Sequence, residues 1–135
     1  MVDGFSGTSV VDGEDCLRHV MGVPGALGAA LVDHGSGLVV RFAGRVPSED
    51  QQTTGAGVAG LVDATLGSAA FANLGNPGHL DDIVVTAGNG HHLVHFPGGR
   101  HDVRLVLYLW LDRPRGNLAM AQRAMRNAGE ELAAP

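Results

Sequence analysis

Apolar residues recur along this chain with two different periods. Leu17, Val20 and Met21 fall on one side of a short helix over 13–21, which the Val23-Pro24-Gly25 segment stops. Two strand-like runs follow, Ala26 to Val32 and Leu38 to Ala43, joined by Asp33-His34-Gly35-Ser36-Gly37, a turn by composition. The period then lengthens. Val58, Leu61, Val62, Thr65, Ala69 and Ala72 share a helical face, and Ser48, with Pro47 ahead of it and Gln51 three residues on, has capping-box spacing. The pattern predicts a helix from Ser48 to Ala72, about 37 Å long and the longest element.

After the Gly75-Asn76-Pro77-Gly78 turn, strands are expected over Leu80 to Thr86, His91 to Phe96 and Asp102 to Leu111. Their connections, Gly88-Asn89-Gly90 and Pro97-Gly98-Gly99, suit tight hairpins. The last strand is apolar on both faces, with Val103, Leu105, Leu107 and Leu109 on one and Val106, Tyr108 and Trp110 on the other. Such a strand belongs in the middle of a sheet covered on both sides. Asn117 then caps a helix in which Leu118, Ala121, Met125, Ala128 and Leu132 repeat at three- and four-residue steps. The order is α, β, β, long α, β, β, β, α. Residues 1–12 carry no period and read as a flexible N-terminal tail, leaving 13–132 as the domain.

Composition narrows the classes. The 135 residues fit one domain, and 44% hydrophobic against 17% charged residues excludes a disordered chain. Every one of the nine basic residues is Arg, 14 acids bring the formal charge to -5, and no basic run exists, so nucleic acid is not an expected partner. The longest apolar run, Leu105 to Leu111, is too short to insert in a membrane, and the N-terminus is acidic where a signal peptide is basic; a cytoplasmic protein is expected. Cys16 is alone and forms no internal disulfide.

The element order and several short words resemble the Roadblock/dynein light chain family. The words are Gly22-Val23-Pro24-Gly25-Ala26 leading to Leu31-Val32-Asp33 and Ser36-Gly37-Leu38, then Asp82-Ile83-Val84-Val85-Thr86, then Leu107-Tyr108-Leu109 with Leu111-Asp112-Arg113 and Asn117-Leu118-Ala119. The resemblance spans about residues 13 to 132. It implies an α+β, profilin-like fold: a five-stranded antiparallel sheet of order 2-1-5-4-3, the long helix on one face and the terminal helices on the other. It also implies a homodimer and a non-enzymatic regulator or adaptor. Similar small actinobacterial proteins accompany sensor-kinase-like proteins and a Ras-like GTPase, and a chain without Lys and rich in Ala, Gly, Val and Arg looks like the product of a high-GC genome.

Several residues invite a chemical reading. Gly55-Ala56-Gly57-Val58-Ala59-Gly60 spells the dinucleotide fingerprint, but it lies within an expected helix rather than at a strand-to-helix turn, so no nucleotide cofactor is expected. Gly57, Gly60, Ala64, Gly67 and Phe71, at steps of three and four, form a stripe of small residues ending in an aromatic. Close approach of a second helix would offset the roughly 1 kcal/mol that each interior Gly costs relative to Ala. A chain rich in Gly and Ala also yields such stripes by chance, and pattern alone leaves the two level. The resemblance favours dimerisation, with Ile83 and Val85 of the third strand joining the stripe at the interface and the sheet continuing across both copies.

His91, His92 and His95 invite a metal, yet on a strand His91 and His92 face opposite sides and His91 to His95 spans about 13 Å; no metal is expected. With a four-residue turn after Phe96, His95 falls across from Asp102, a solvated contact and at most a weak pH sensor. Cys16 reads as a buried apolar side chain rather than one of a thiolate pair with His19. The expected function is a homodimeric regulator of a small Ras-like GTPase that orders the GTPase's switch loops, with sensor-kinase-like or other Roadblock proteins as further partners. A small-molecule-sensing or structural platform subunit on the same fold is the alternative.

Overall fold

The computed structural model describes residues 4–68, 70–71, 80–97 and 104–133. Its elements are α1 (Gly4–Met21), β1 (Ala26–Asp33), β2 (Leu38–Gly44), α2 (Gln51–Leu66), β3 (Asp82–Ala87), β4 (Gly90–His95), β5 (Leu105–Leu111) and α3 (Leu118–Ala133). The strands form one antiparallel sheet in the order β2-β1-β5-β4-β3. This is the order the resemblance implies.

The doubly apolar strand explains why β5 sits in the middle. Leu107, Leu109 and Leu111 enter a core with Cys16, Leu17 and Val20 of α1 and Ala121, Met125 and Ala128 of α3. Val106 and Tyr108 enter a second core on the other face, with Val58 and Val62 of α2. Burial on both faces removes apolar surface from water twice over, and only a strand flanked on both edges can accept that without exposing backbone polar groups. Asn117 caps α3 by accepting the Met120 N–H at 3.0 Å.

Several boundaries differ from the expectation. The first helix begins at Gly4 rather than Gly13 and, at 18 residues, is the longest described element. Helix α2 has 16 residues, about 24 Å, not the expected Ser48 to Ala72. Its N-cap is Asp50, extended at φ -156, whose carboxylate accepts the Thr53 N–H at 2.8 Å. The Ser48 hydroxyl is engaged elsewhere, donating to the Asp50 carbonyl and pairing with the Thr54 hydroxyl at 2.6 Å. Gly67 closes the helix, its N–H reaching Asp63 O. The Gly75 to Gly78 turn, Ala72 and the expected strand start at Asp102 lie outside the described residues.

Candidate functional site

Helix α2 is seated by a glycine. A β-carbon at Gly55 would stand 2.3 Å from the carbonyl oxygen of Gly37, which ends the β1–β2 turn with φ +82. The bare Cα lets the helix settle on that hairpin, and α2 packs chiefly against β1 and β2. On the same sheet face Val94 of β4 and the following Phe96 are buried in the α2-side core, but the edge strand β3 has no helix of its own among the described residues, and Val85 is 38% exposed.

A groove of about 470 Å³ runs along this gap. Gly57, Val58 and Leu61 of α2 form one wall, Val85 and Ala87 of β3 the other, and Val94, His92 and Tyr108 lie between them. Further along α2 a second hollow, about 380 Å³, lies between Thr65, Phe71, Leu80 and Ile83. Among the described residues no acid, Arg or Lys lines the first groove.

Its polar floor is self-contained. His92 Nε2 is 2.8 Å from Asn89 Oδ1, and His92 Nδ1 is 2.8 Å from the Tyr108 hydroxyl. An amide oxygen only accepts, so Nε2 carries the hydrogen and Nδ1 accepts from Tyr108. The two rings stack with centroids 6.0 Å apart and an interplanar angle of 18°. Burial, and behind it the neighbouring His91, holds the His92 imidazole below the ordinary histidine value; burial alone pushes the Tyr108 phenol up. Both shifts favour the neutral pair. Asn89 also accepts the Trp110 indole N–H through its backbone carbonyl at 2.9 Å, and the Arg45 guanidinium lies 5.5 Å from the Trp110 ring centroid.

No family model matches the chain, and no curated protein does. Solved structures do. MglB of Myxococcus xanthus superimposes with a TM-score of 0.69 at 18% identity, over 98% of this chain and 90% of that one. The gliding protein MglB from Thermus thermophilus gives 0.67 at 23% identity, over 98% and 91%. A Roadblock/LC7 domain from Streptomyces avermitilis gives 0.69 at 18% identity, over 91% and 92%. The fold is the Roadblock/LC7 fold.

On this Roadblock/LC7 frame the residues singled out in the sequence separate into three groups. Gly57, Gly60 and Ala64 are exposed on α2, and a β-carbon at Gly57 or Gly60 would meet nothing within 4 Å. Gly67 is the C-cap rather than part of the helix, and Phe71 stands beyond it, 66% exposed. Ile83 is half-buried against the α2-side core, while Val85, 38% exposed, faces the groove. The structure brings Gly57 and Val85 to one groove and Phe71 and Ile83 to the neighbouring hollow. Gly60 and Ala64 line neither.

The glycines of the dinucleotide-like word all lie inside α2. His91 and His92 face opposite sides, as strand geometry requires: His91 Nδ1 is 2.8 Å from Thr86 Oγ1, on the face away from Tyr108. The expected pairing of His95 is corrected. Its partner is Asp82, with Nδ1 2.7 Å from Oδ1 across the β3–β4 register, and the ring is buried rather than solvated. Asp102 lies outside the described residues. Gly129 of α3 makes room for this ring, since a β-carbon there would be 2.7 Å from His95 Cδ2. Among the described residues no three of His, Cys, Asp or Glu are grouped to hold a metal, and no helix is long and apolar enough to cross a membrane. Cys16 is fully buried, and burial, with Glu131 behind it, pushes its thiol up to about 12. It is an apolar core residue. The His92–Tyr108–Asn89 network has no signature in the sequence, because its members meet only once the strand register is known.

Proposed function

We propose that this chain is a non-enzymatic, homodimeric regulator or adaptor of a small Ras-like GTPase, and that two copies meet through α2 and β3. The exposed β3 side of the sheet carries the dimer. Among the described residues, α2 packs chiefly against β1 and β2 and leaves Val85 and the groove uncovered, while its own outward side is small at Gly57, Gly60 and Ala64. A second α2, brought in by a two-fold axis, supplies the missing cover and closes against that small stripe. Strand β3 lies at the sheet edge, so a second β3 extends the same sheet. Phe71, beside the Ile83 hollow, completes the seam.

The GTPase partner rests on the likeness of nearly the whole chain to MglB, which includes a gliding protein and an MglB with a tetrameric arrangement. The family resemblance supplies the rest, including cytoplasmic action and sensor-kinase-like or other Roadblock proteins as further partners. The test mixes the purified chain with the Ras-like GTPase encoded nearest to its gene, loaded with GDP or with a non-hydrolysable GTP analogue. Tighter binding of the GTP-analogue form is expected. A chain that dimerises yet binds neither form loses the GTPase partner, and a monomer by light scattering at micromolar concentration loses the dimer. An uncharged groove of this volume also suits a neutral apolar ligand. If the platform-subunit alternative is right, such a ligand binds and competes with self-association.

A further inference from the structure

We infer that His92 makes self-association of this chain pH-dependent, the dimer forming while the imidazole is neutral and loosening when it is protonated. The inference rests on the proposed dimer through α2 and β3, since it is a second copy that would close the groove over His92.

The hydrogen-bond pattern specifies the neutral ring. Nε2 donates to Asn89 Oδ1, and Nδ1 accepts from the Tyr108 hydroxyl. A second proton on Nδ1 leaves it no acceptor unless the Tyr108 hydroxyl turns its own hydrogen away. That hydrogen then points into a groove lined by Val58, Leu61, Val85 and Val94 and by the hydroxyl residues Ser48, Thr53 and Thr54, of which Ser48 and Thr54 are already paired with each other. While the groove is open, water can receive it and solvate the imidazolium. Under the apolar and small side of a second α2, neither is solvated, and an unpaired buried charge or hydroxyl costs on the order of kilocalories.

Among the described residues no carboxylate is placed to compensate. From β5, the groups facing His92 are Tyr108 and its register partner Trp110, over which the Arg45 cation lies. From β3 it is Val85, and from α2 the uncharged Thr53, Thr54 and Gly57. On the bend before α2, Glu49 is exposed and the Asp50 carboxylate is turned to the Thr53 N–H. Asp82 of β3 is committed to His95. His91, beside His92 in β4, is a second base and adds repulsion rather than relief. Arg45, and Arg113, which donates to the Ala87 carbonyl of β3 at 3.3 Å, do the same at longer range.

The sign follows from linkage. Covering the ring lowers its pKa further in the dimer than in the monomer, so the dimer is favoured in full above the monomer's value and loses ground as pH falls through the interval between the two. Two-fold symmetry gives two such rings per dimer, so the dissociation constant rises by up to about a hundredfold per pH unit within that interval.

The experiment measures the dissociation constant by sedimentation equilibrium at about pH 7.5 and about pH 5.0 for the wild type, His92→Gln and, as control, His91→Gln. Gln offers an N–H and a carbonyl but takes no proton in this range. The wild type and His91→Gln are expected to weaken at least tenfold at the lower pH, and His92→Gln less than threefold. Equal affinity at both pH values for a wild type that dimerises, or the same weakening in His92→Gln, overturns the inference. A wild type that stays monomeric at pH 7.5 instead overturns the dimer on which it rests. Should His92→Gln fail to fold, the wild type decides through the His92 ring signals in NMR titrations at concentrations well above and well below the dissociation constant. A lower midpoint in the concentrated sample is expected, and identical midpoints overturn the inference.

Discussion

A β-carbon added at Gly55 would meet the Gly37 carbonyl oxygen at 2.3 Å and Val39 Cγ2 at 2.8 Å, whereas two residues on, at Gly57, it would meet nothing. One helix therefore holds two glycines with opposite physics. At Gly55 the absent side chain is needed for α2 to lie on the β1–β2 hairpin; at Gly57 it is only a loss of helix propensity unless a partner comes close. Gly55→Ala is expected to destabilise the fold by about 1–3 kcal/mol through overpacking. Gly57→Ala is expected to stabilise the isolated chain by roughly 0.5–1 kcal/mol. Urea unfolding at concentrations below self-association measures both, and shifts of the same sign would show that α2 does not depend on the close approach at Gly37. The sequence alone could not separate these two glycines, because both sit in one word and only tertiary contact distinguishes them.

At the scale of elements, the α2 stripe and the β3 edge make one further prediction. Gly60→Leu places a large side chain on the small outward side of α2, where it fits a lone protomer but not the seam of two helices. Dimer affinity is expected to fall at least tenfold, while Gln52→Leu, exposed on the first turn of α2, leaves it within about twofold. Sedimentation of both variants checks this, and equal losses would move the interface off the stripe. The elements themselves were largely legible. Period-two runs and glycine-bearing turns located all five strands to within a few residues, and the doubly apolar β5 announced the sheet centre. The ends of α2 were not, for two physical reasons. Ser48 and Asp50 are both capping residues, and the Ser48 hydroxyl is drawn away by Thr54, which leaves the first turn to Asp50. At the other end the apolar period runs on past Leu66, but Gly67 and Ser68 end the helix. The partner of His95 hung on the β4–β5 connection. A tight turn there would carry Asp102 opposite His95, but the register pairs His95 with Leu107, while the two-residue turn at Gly88-Asn89 pairs Ala87 with Gly90 and carries Asp82 opposite His95 on the other side.

For the whole molecule, the open question of mechanism is whether this chain would speed GTP hydrolysis with an inserted arginine or by ordering the GTPase's own groups. Helix α2, which faces the proposed partner copy, contains no Arg. Arg41 lies in β2, at the opposite edge of the sheet from β3, and reaches Glu14 at 3.4 Å. Arg45 follows β2 but does not stay at that edge: its guanidinium lies over Trp110 of the central strand. It is thus held against an aromatic ring and would have to leave a cation–π contact to enter a nucleotide site. An inserted arginine is worth on the order of a thousandfold or more in hydrolysis rate, because it meets charge that develops only in the transition state. Ordering of switch loops instead acts through preferential binding to one nucleotide state and needs no such residue. Arg41→Ala and Arg45→Ala are therefore expected to leave any stimulation of the GTPase within a few-fold. Single-turnover hydrolysis with each variant at saturating concentration provides the measurement. A loss approaching a thousandfold with GTPase binding intact would assign the catalytic contact to that arginine, and Arg45 would then have to exchange its indole for the nucleotide on docking. Equal affinity of the wild type for the GDP and GTP forms, with hydrolysis unchanged, would reject both mechanisms and leave a scaffold that holds the GTPase without reading its state.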